Sequence, residues 1–146
     1  MINSFTKKFI DKEINGVRKI GRKYYLAEEE LFEFAGKLNK ELFSIGLFLG
    51  EDKREFIPQP ALLEILAEQS DKKVFVEEKA EWLFLCKKDV FKTSIIKMKE
   101  GLKNNDFVLV QNRNDENLGL GKIIATKGRL LIKNVIDRGA YLRQRQ

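Results

Sequence analysis

Five short strand-like runs fill most of residues 90–135, and they restrict the fold more than any other feature of the chain. The segments between the later runs, at 104–106, 112–117 and 126–128, are rich in Asn, Asp or Gly, which favour turns. Short strands at close, regular spacing predict a small β-barrel or sandwich. The runs are 90–91, 94–98, 107–111, 118–125 and 130–135.

The segments that flank these runs, together with the runs, make up the second half of the chain, which differs from the first half in its spacing of predicted elements. Residues 73–77 are predicted to form a short strand, and residues 79–85 a short helical turn. Residues 137–145 are predicted to form a final helix. The polar stretch 69–72 separates this half from the first and is a candidate linker.

The first half mixes helix and strand signals. Apolar residues recur at helical spacing from Phe5 to Ile14, and Gly16 can end that helix. Residues 19–26, rich in aromatic and β-branched side chains, predict a strand. A second helix is expected from Ala27.

Three consecutive glutamates, Glu28, Glu29 and Glu30, lie in the first turn of that second helix. They are interpreted as partners of the exposed N–H dipoles rather than as a metal cluster, because consecutive residues on a helix point in different directions.

Residues 42–49 predict a buried strand that returns as 54–57 after a turn at 50–53. Leucines from residue 62 onward then predict a third helix that ends near Gln69. The chain is therefore predicted to be an α+β protein. Residues 1–72 form an N-terminal α/β domain with antiparallel strands and three helices, and residues 73–146 form a small β-barrel with a C-terminal helix.

The net positive charge of the chain lies entirely in the second half. Residues 1–72 hold 12 Lys and Arg against 13 Asp and Glu, a net charge of −1, whereas residues 73–146 hold 16 against 9, a net charge of +7. This asymmetry indicates that one half faces a polyanion. A solubility charge is the alternative that composition leaves open.

The chain has no histidine and a single cysteine, Cys86. Histidine-based nucleophilic or acid–base catalysis, His-ligated zinc and a disulfide framework are therefore excluded within it. Buried packing is the preferred interpretation of Cys86, and a thiolate activated by neighbouring lysines is the alternative. We expect no cofactor and no enzymatic activity.

The order of motifs in the second half resembles a PUA domain, the β-barrel RNA-binding module named after pseudouridine synthases and archaeosine transglycosylases. Each motif is weak alone, but their order and spacing extend over the whole half. The motifs are Phe84-Leu85, Val90-Phe91, Asn105-Asp106 before Phe107, Leu118-Gly119-Leu120-Gly121, and the segment from Asp137 to Arg143. Lys87 and Asn105 stand where many PUA domains have glycine, and many have another glycine near Ser94, which leaves the local turn geometry open.

The first half extends the resemblance to the Nip-seven family of ribosome-biogenesis proteins, through residues 44–50, the returning strand at 54–56 and a leucine-rich helix. The compact length resembles the archaeal members. The resemblance implies non-catalytic RNA binding in assembly of the large ribosomal subunit and processing of pre-rRNA. It also implies an assembly-protein partner for the first half, and a cytoplasmic location in an archaeon or a nucleolar one in a eukaryote.

Basic side chains in the second half are the candidate RNA contacts. Arg129, Leu131 and Lys133 should share one face of a strand while Leu130 and Ile132 enter the core. The two candidate groups are Lys127, Arg129, Lys133, Arg138, Arg143 and Arg145 near the C-terminus, and Lys87, Lys88 and Lys92 near Trp82. A solvated basic face without a ligand is the alternative interpretation.

Three other features have both a functional and a structural interpretation. Trp82 and Tyr141 can stack on bases, but packing in the core is the preferred interpretation of each. Gly119, Gly121 and Lys122 lack the spacing of a phosphate loop, so the glycines are interpreted as sites of close backbone approach in a small barrel.

Two other functions compete with RNA binding in ribosome assembly. A subunit of an RNA-modifying enzyme is one, with Asp11 or Asp52 as possible acids. A protein-interaction adaptor is the other, with Phe43, Phe48 and Phe56 as a possible apolar patch, although core packing is the preferred interpretation of these phenylalanines. No membrane association is expected, because no apolar stretch is long enough to span a bilayer.

Overall fold

The computed structural model describes residues 1–26 and 47–140, and it divides the chain into two compact units, Met1–Leu66 and Ala67–Gln146. Among the described residues, the first unit contains a four-stranded sheet and the second a six-stranded sheet. The predicted α+β class is confirmed. The predicted second helix from Ala27, with Glu28, Glu29 and Glu30, lies outside the described residues.

The first unit begins with a helix that is shorter than predicted. Helix α1 spans Ile2–Thr6, and the backbone then continues in tight turns, with the Phe9 N–H donating to the Thr6 carbonyl at 3.0 Å. Phe9 and Ile10 are nevertheless buried. The apolar pattern therefore identified the buried residues correctly but overestimated the length of the helix.

The strand predicted at 19–26 is instead a hairpin. Strand β1 spans Val17–Ile20 and pairs antiparallel with β2, Lys23–Leu26. Gly21 has φ 64° at the first position of the two-residue turn, where such hairpins need a positive φ. Gly21, which interrupts the strand predicted at 19–26, indicates a turn, so the prediction of a single strand was wrong.

Strands β3, Leu47–Asp52, and β4, Phe56–Pro58, form the hairpin predicted from the strands at 42–49 and 54–57, of which residues 42–46 lie outside the described residues. Its turn lies at residues 53–55, three positions beyond the predicted start of the turn, because Gly50 is a strand residue that packs against Phe56. The sheet order is β1-β2-β3-β4, and helix α2, Pro60–Gln69, follows.

The second unit has almost the predicted order of elements. Strand β5 spans Lys73–Val76, α3 Glu78–Leu85, β6 Val90–Phe91, a 3₁₀ turn Lys92–Ser94, β7 Ile95–Met98, β8 Phe107–Gln111, β9 Asn117–Thr126 and β10 Arg129–Asp137. The barrel-like sheet has the order β6-β10-β9-β8-β5-β7. Asp137 belongs to β10, so the predicted final helix begins only at 138–140, and residues 141–146 lie outside the description.

The core of the second unit lies inside this curved sheet. Phe84 from α3 is fully buried there together with strand residues that alternate inward, including Val74, Val110, Ile123 and Ile132. Helix α3 packs inward with only part of its surface, because Ala80 and Phe84, one turn apart, are its buried residues. The outer side of the sheet is only partly exposed, because Leu109 and its paired residue Leu120, which alternate outward, are buried as well.

Candidate nucleic-acid interface

Strand β10 separates apolar and basic side chains in the way that strand alternation predicts. Ile132 is fully buried and Leu130 packs against the same core, whereas Arg129 and Lys133 are exposed and Leu131 is half-buried. Because side chains two residues apart point to the same side, Arg129, Leu131 and Lys133 share the outer surface. Two cations therefore flank an apolar side chain on one strand.

Strand β6 adds an aromatic ring to the same surface. Phe91 is paired with Leu131, and Val90 with the core residue Ile132. Val90 is buried, whereas 64% of Phe91 is exposed. Directly paired residues project to the same side of a sheet, so Phe91 lies beside Leu131, with Arg129 and Lys133 as its diagonal neighbours.

Strand β9 contributes a third cation that sequence reasoning did not select as a contact. Lys122 is paired with Lys133 on one side and with Phe107 on the other, and its Nζ lies 5.5 Å from the centroid of the Phe107 ring. Like charges directly opposite each other destabilise a sheet, and the cation–π contact offsets part of that cost for Lys122. We call Phe91, Lys122, Arg129, Leu131 and Lys133 the cationic face.

The second predicted basic group lies next to this face. The Asn134 amide donates to the Phe84 carbonyl at 2.8 Å, and the Asn134 backbone N–H donates to the Asp89 carboxylate at 2.9 Å. These bonds hold the exposed turn that carries Lys87 and Lys88 against Asn134, the residue of β10 that follows Lys133. Lys92 is exposed and directly follows Phe91. The second basic group is therefore carried by segments next to the paired strands β6 and β10.

The other basic residues that were predicted to contact RNA lie outside the cationic face or outside the described residues. Lys127 is exposed in the turn between β9 and β10, with φ 50°, and Arg138 is half-buried just after β10. Arg143 and Arg145, like Tyr141, lie outside the described residues.

Two side chains predicted to be buried are exposed. Trp82 is 68% exposed, and Cys86 is exposed at the end of α3. Because a helix turns about 100° per residue, Trp82 lies far around the helix from Phe84, which occupies the core. All residues from Trp82 to Leu85 are apolar, so composition alone does not reveal which of them points inward.

The two glycines of β9 allow close backbone approach, as predicted. A Cβ atom at Gly119, which has φ 149°, would lie 2.2 Å from the Ile136 carbonyl oxygen, and one at Gly121 would lie 2.4 Å from Ile132 Cγ2. These contacts leave no room for a larger residue where β9 meets β10. The glycines therefore serve the pairing of the strands that carry Lys122 and Lys133.

Two of the three departures from the PUA glycine pattern keep the geometry that glycine provides, whereas Ser94 lies in a 3₁₀ turn without a positive φ. Lys87 has φ 69° and Asn105 has φ 72°. Asn adopts this region more readily than most residues, and Lys pays a larger conformational cost there. The turn that presents Lys87 and Lys88 therefore keeps the positive φ despite the lysine.

Two other lysines of this unit, Lys73 and Lys99, are paired with carboxylates. Lys73 Nζ lies 3.1 Å from Asp115 Oδ1, and Lys99 Nζ lies 2.6 Å from Asp71 Oδ1. The hydrogen bond from Lys99 holds the pKa of Asp71 below its usual value. Within the described residues, no carboxylate lies within salt-bridge distance of a lysine or arginine of the cationic face.

The carboxylate of Asp52, one of the two possible acids, is tied into the first unit. Tyr24 Oη donates to Asp52 Oδ2 at 2.7 Å, and Lys19 Nζ lies 3.3 Å from the same oxygen. The Tyr24 hydrogen bond and then Lys19 lower the pKa of Asp52, although burial opposes them. Asp52 is therefore ionised at neutral pH and does not suit the role of a general acid. The other candidate, Asp11, is exposed.

The described part of the chain shows no cluster of three or more Cys, Asp or Glu side chains placed to hold a metal ion. Among the helices of residues 1–26 and 47–140, none is long and apolar enough to cross a lipid bilayer.

The six-stranded barrel with α3 between its first two strands and a basic outer surface is the architecture of a PUA domain, a class that typically binds RNA. Residues 72–146 match the family model described as the UPF0113 PUA domain, and the chain belongs to that family. A UPF0113 protein of Archaeoglobus fulgidus is 32% identical over 119 residues, which cover 76% of this chain and 67% of the relative.

Solved structures include similar chains. A conserved PUA domain protein of Thermoplasma acidophilum has a TM-score of 0.56 at 16% identity, and the match covers 94% of this chain and 88% of that one. A hypothetical protein of Pyrococcus horikoshii has a TM-score of 0.49 at 19% identity, covering 86% and 77%. The first likeness supports the fold.

Proposed function

We propose that this protein is a non-catalytic RNA-binding protein and that the cationic face, extended by Lys87, Lys88 and Lys92, contacts the RNA backbone. The observation that carries the proposal is the placement of Lys122, Arg129 and Lys133 on one outer surface, with two of these cations directly opposite each other. Such an arrangement costs folding stability, and a polyanion in contact with it removes that cost.

Binding would follow from neutralisation of phosphates. Each Lys or Arg that pairs with a phosphate releases condensed counterions, so affinity depends steeply on salt. Lys127 and Arg138 lie at the two ends of β10 and would extend the contact, as would Arg143 and Arg145 from the C-terminal segment. Carboxylates paired with Lys73 and Lys99 keep those lysines from contributing in the same way.

The finer proposal is a role in assembly of the large ribosomal subunit and in processing of its precursor RNA, in a protein that resembles the Nip-seven family. The resemblance of residues 44–50 and 54–56, together with membership of a PUA-domain family, supports it. In this proposal residues 73–146 bind pre-rRNA in the cytoplasm of an archaeon, and residues 1–72 bind an assembly protein.

The absence of catalysis is part of the same proposal. The sequence contains no histidine, and Asp52 is held ionised by Tyr24 and Lys19. Turnover of an RNA base by the purified protein would contradict this part without affecting RNA binding itself.

The test is a titration of labelled ribosomal RNA fragments at several salt concentrations, with wild type and the double variant Arg129→Ala/Lys133→Ala. For single-stranded RNA, loss of two phosphate contacts should reduce the slope of log K against log salt by about 1.4. Arg138 is left intact because it is half-buried, and its removal would also disturb packing.

The matched control is Lys53→Ala/Arg54→Ala, which removes the same two residue types from the exposed β3–β4 turn of the first unit. It should leave the slope unchanged. An equal loss in both variants would mean that net charge alone drives binding, and no affinity above that of a neutral protein would overturn the proposal. Recovery of a protein partner that survives ribonuclease and does not depend on Arg129 or Lys133 would favour the adaptor.

A further inference from the structure

The ring of Phe91 is the feature of the cationic face that phosphate contacts do not explain. It is 64% exposed, although Val90, the adjacent residue on the same two-residue strand, is 1% exposed. Backbone pairing with Leu131 places the ring on the outer surface, beside a half-buried leucine and with two cations, Arg129 and Lys133, as its diagonal neighbours on β10. Lys92 follows it directly.

We infer, on the basis of the proposed function, that the cationic face recognises single-stranded RNA by stacking an unpaired base on Phe91. Arg129 and Lys133 lie two positions to either side of Leu131 along β10, about 6–7 Å away in each direction. They flank the ring on both sides and are placed to contact the sugar-phosphate chain before and after the stacked nucleotide.

A double-stranded RNA offers no free base face on which the Phe91 ring could stack. In duplex RNA the base faces are stacked on each other, and a protein meets phosphates and 2′-hydroxyl groups instead. In a single strand every base has a free face, and stacking on an aromatic side chain contributes to affinity whatever the base. An exposed aromatic ring among cations therefore matches a single strand.

The apolar side chains next to Phe91 also favour single-stranded RNA as the ligand. Leu131 and Ile124 continue from Phe91 across the sheet, because Phe91 pairs with Leu131 and Leu131 with Ile124, and both are half-buried. A row of cations, Lys133 and Lys122, runs parallel to this apolar row. One row is suited to bases and the other to phosphates.

The experiment measures binding of one oligonucleotide as a single strand and as a duplex with its complement, to the full chain and to Phe91 variants. The probe carries 2-aminopurine, whose fluorescence falls when the base stacks. We expect wild type to prefer the single strand and to quench the probe. Phe91→Ala should lose about 5- to 150-fold in single-strand affinity, with the salt slope unchanged.

Two further variants separate stacking from apolar contact. Phe91→Trp should keep the affinity and the quenching, whereas Phe91→Leu should lose both, since leucine keeps apolar bulk without a ring. Ile96→Ala removes a side chain that is 48% exposed on β7 and serves as the matched control, with no expected change. Because Phe91 is exposed, melting temperatures should be alike for all variants.

The outcomes distinguish this inference from the proposed function. If wild type binds RNA with a salt slope that depends on Arg129 and Lys133 but Phe91→Ala has no effect, or the duplex binds as well as the single strand, only the inference fails. If wild type binds no RNA, the proposed function fails with it. Loss of a protein partner in Phe91→Ala at unchanged RNA affinity would assign the ring to a protein contact and overturn the inference.

Discussion

Buried polar side chains of the second unit and the cations of its cationic face differ in whether they have a polar partner within the chain. Inside, Gln111 and Asn117 are buried and bonded to each other, with Asn117 Nδ2 donating to Gln111 Oε1 at 2.7 Å. Outside, Lys122 and Lys133 stand opposite each other without a carboxylate within salt-bridge distance among the described residues. The two buried amides are therefore paired within the chain, whereas the two facing lysines have no carboxylate partner among the described residues.

The largest expected difference in stability is between variants of Phe84 and Trp82. Both residues lie on helix α3, but Phe84 is buried in the core and Trp82 is exposed. Phe84→Ala should lower the free energy of unfolding by about 3–5 kcal/mol, since it leaves a cavity in the core. Trp82→Ala should change it by less than about 0.5 kcal/mol. Urea denaturation measures both, and a large loss in Trp82→Ala would place that side chain in the core.

Asn117 tests whether the interior polar groups are structural. Its amide also donates to the Gly119 carbonyl at 3.1 Å, so Asn117→Ala leaves buried acceptors unsatisfied and should cost about 1–3 kcal/mol. Asn114→Ala, in the exposed β8–β9 turn, is the matched control and should be nearly neutral. Equal denaturation midpoints for the two variants would contradict this structural role.

Lys133→Glu should act on stability and binding in opposite directions. A carboxylate at this position faces Lys122 and replaces a repulsive cross-strand pair with an attractive one, which should stabilise the sheet by about 0.2–1 kcal/mol. The same change should weaken RNA binding and reduce its salt dependence. The melting temperature and the RNA titration check the two effects, and Lys53→Glu is a control expected to change neither appreciably. A destabilised Lys133→Glu would mean that Lys122 and Lys133 do not repel each other.

Acid should weaken the contribution that the Asp115 carboxylate makes to stability through its ion pair with Lys73. Burial pushes the pKa of Asp115 up, but the Gln111 hydrogen bond and the Lys73 ammonium outweigh it, and the pKa lies below its usual value. A depressed folded-state pKa gives stability that is present above the unfolded-state pKa and lost as the pH falls through the folded one.

The stability difference between wild type and Asp115→Asn should therefore be present at neutral pH and shrink below about pH 4. Thermal unfolding across this range measures it, and the effect should be the smallest of the four because Asp115 is exposed. A difference that grows on acidification would contradict the assigned sign.

Much of the second unit was predictable from the sequence, because alternation and turn residues are local signals. Strand β8 lies at the predicted 107–111, and β10 places Ile132 inside and Lys133 outside as its alternation predicts. The β9 glycines also indicated close strand packing before any contact was known. The first unit was less predictable, since a single glycine, Gly21, converts an apparent strand into a hairpin.

The composition and local order of the chain determined by themselves that a positively charged half would contain short strands with basic outer residues. Only the tertiary structure decided that Phe91 lies beside Leu131, that Lys122 faces Lys133, and that Trp82 points outward. Strand register pairs Phe91 with Leu131, a residue distant in sequence, and Lys122 with Lys133, and it thereby assembles the cationic face. The rotation of helix α3 is fixed by the core against which it packs. Neither register nor rotation can be read from the local pattern of residues.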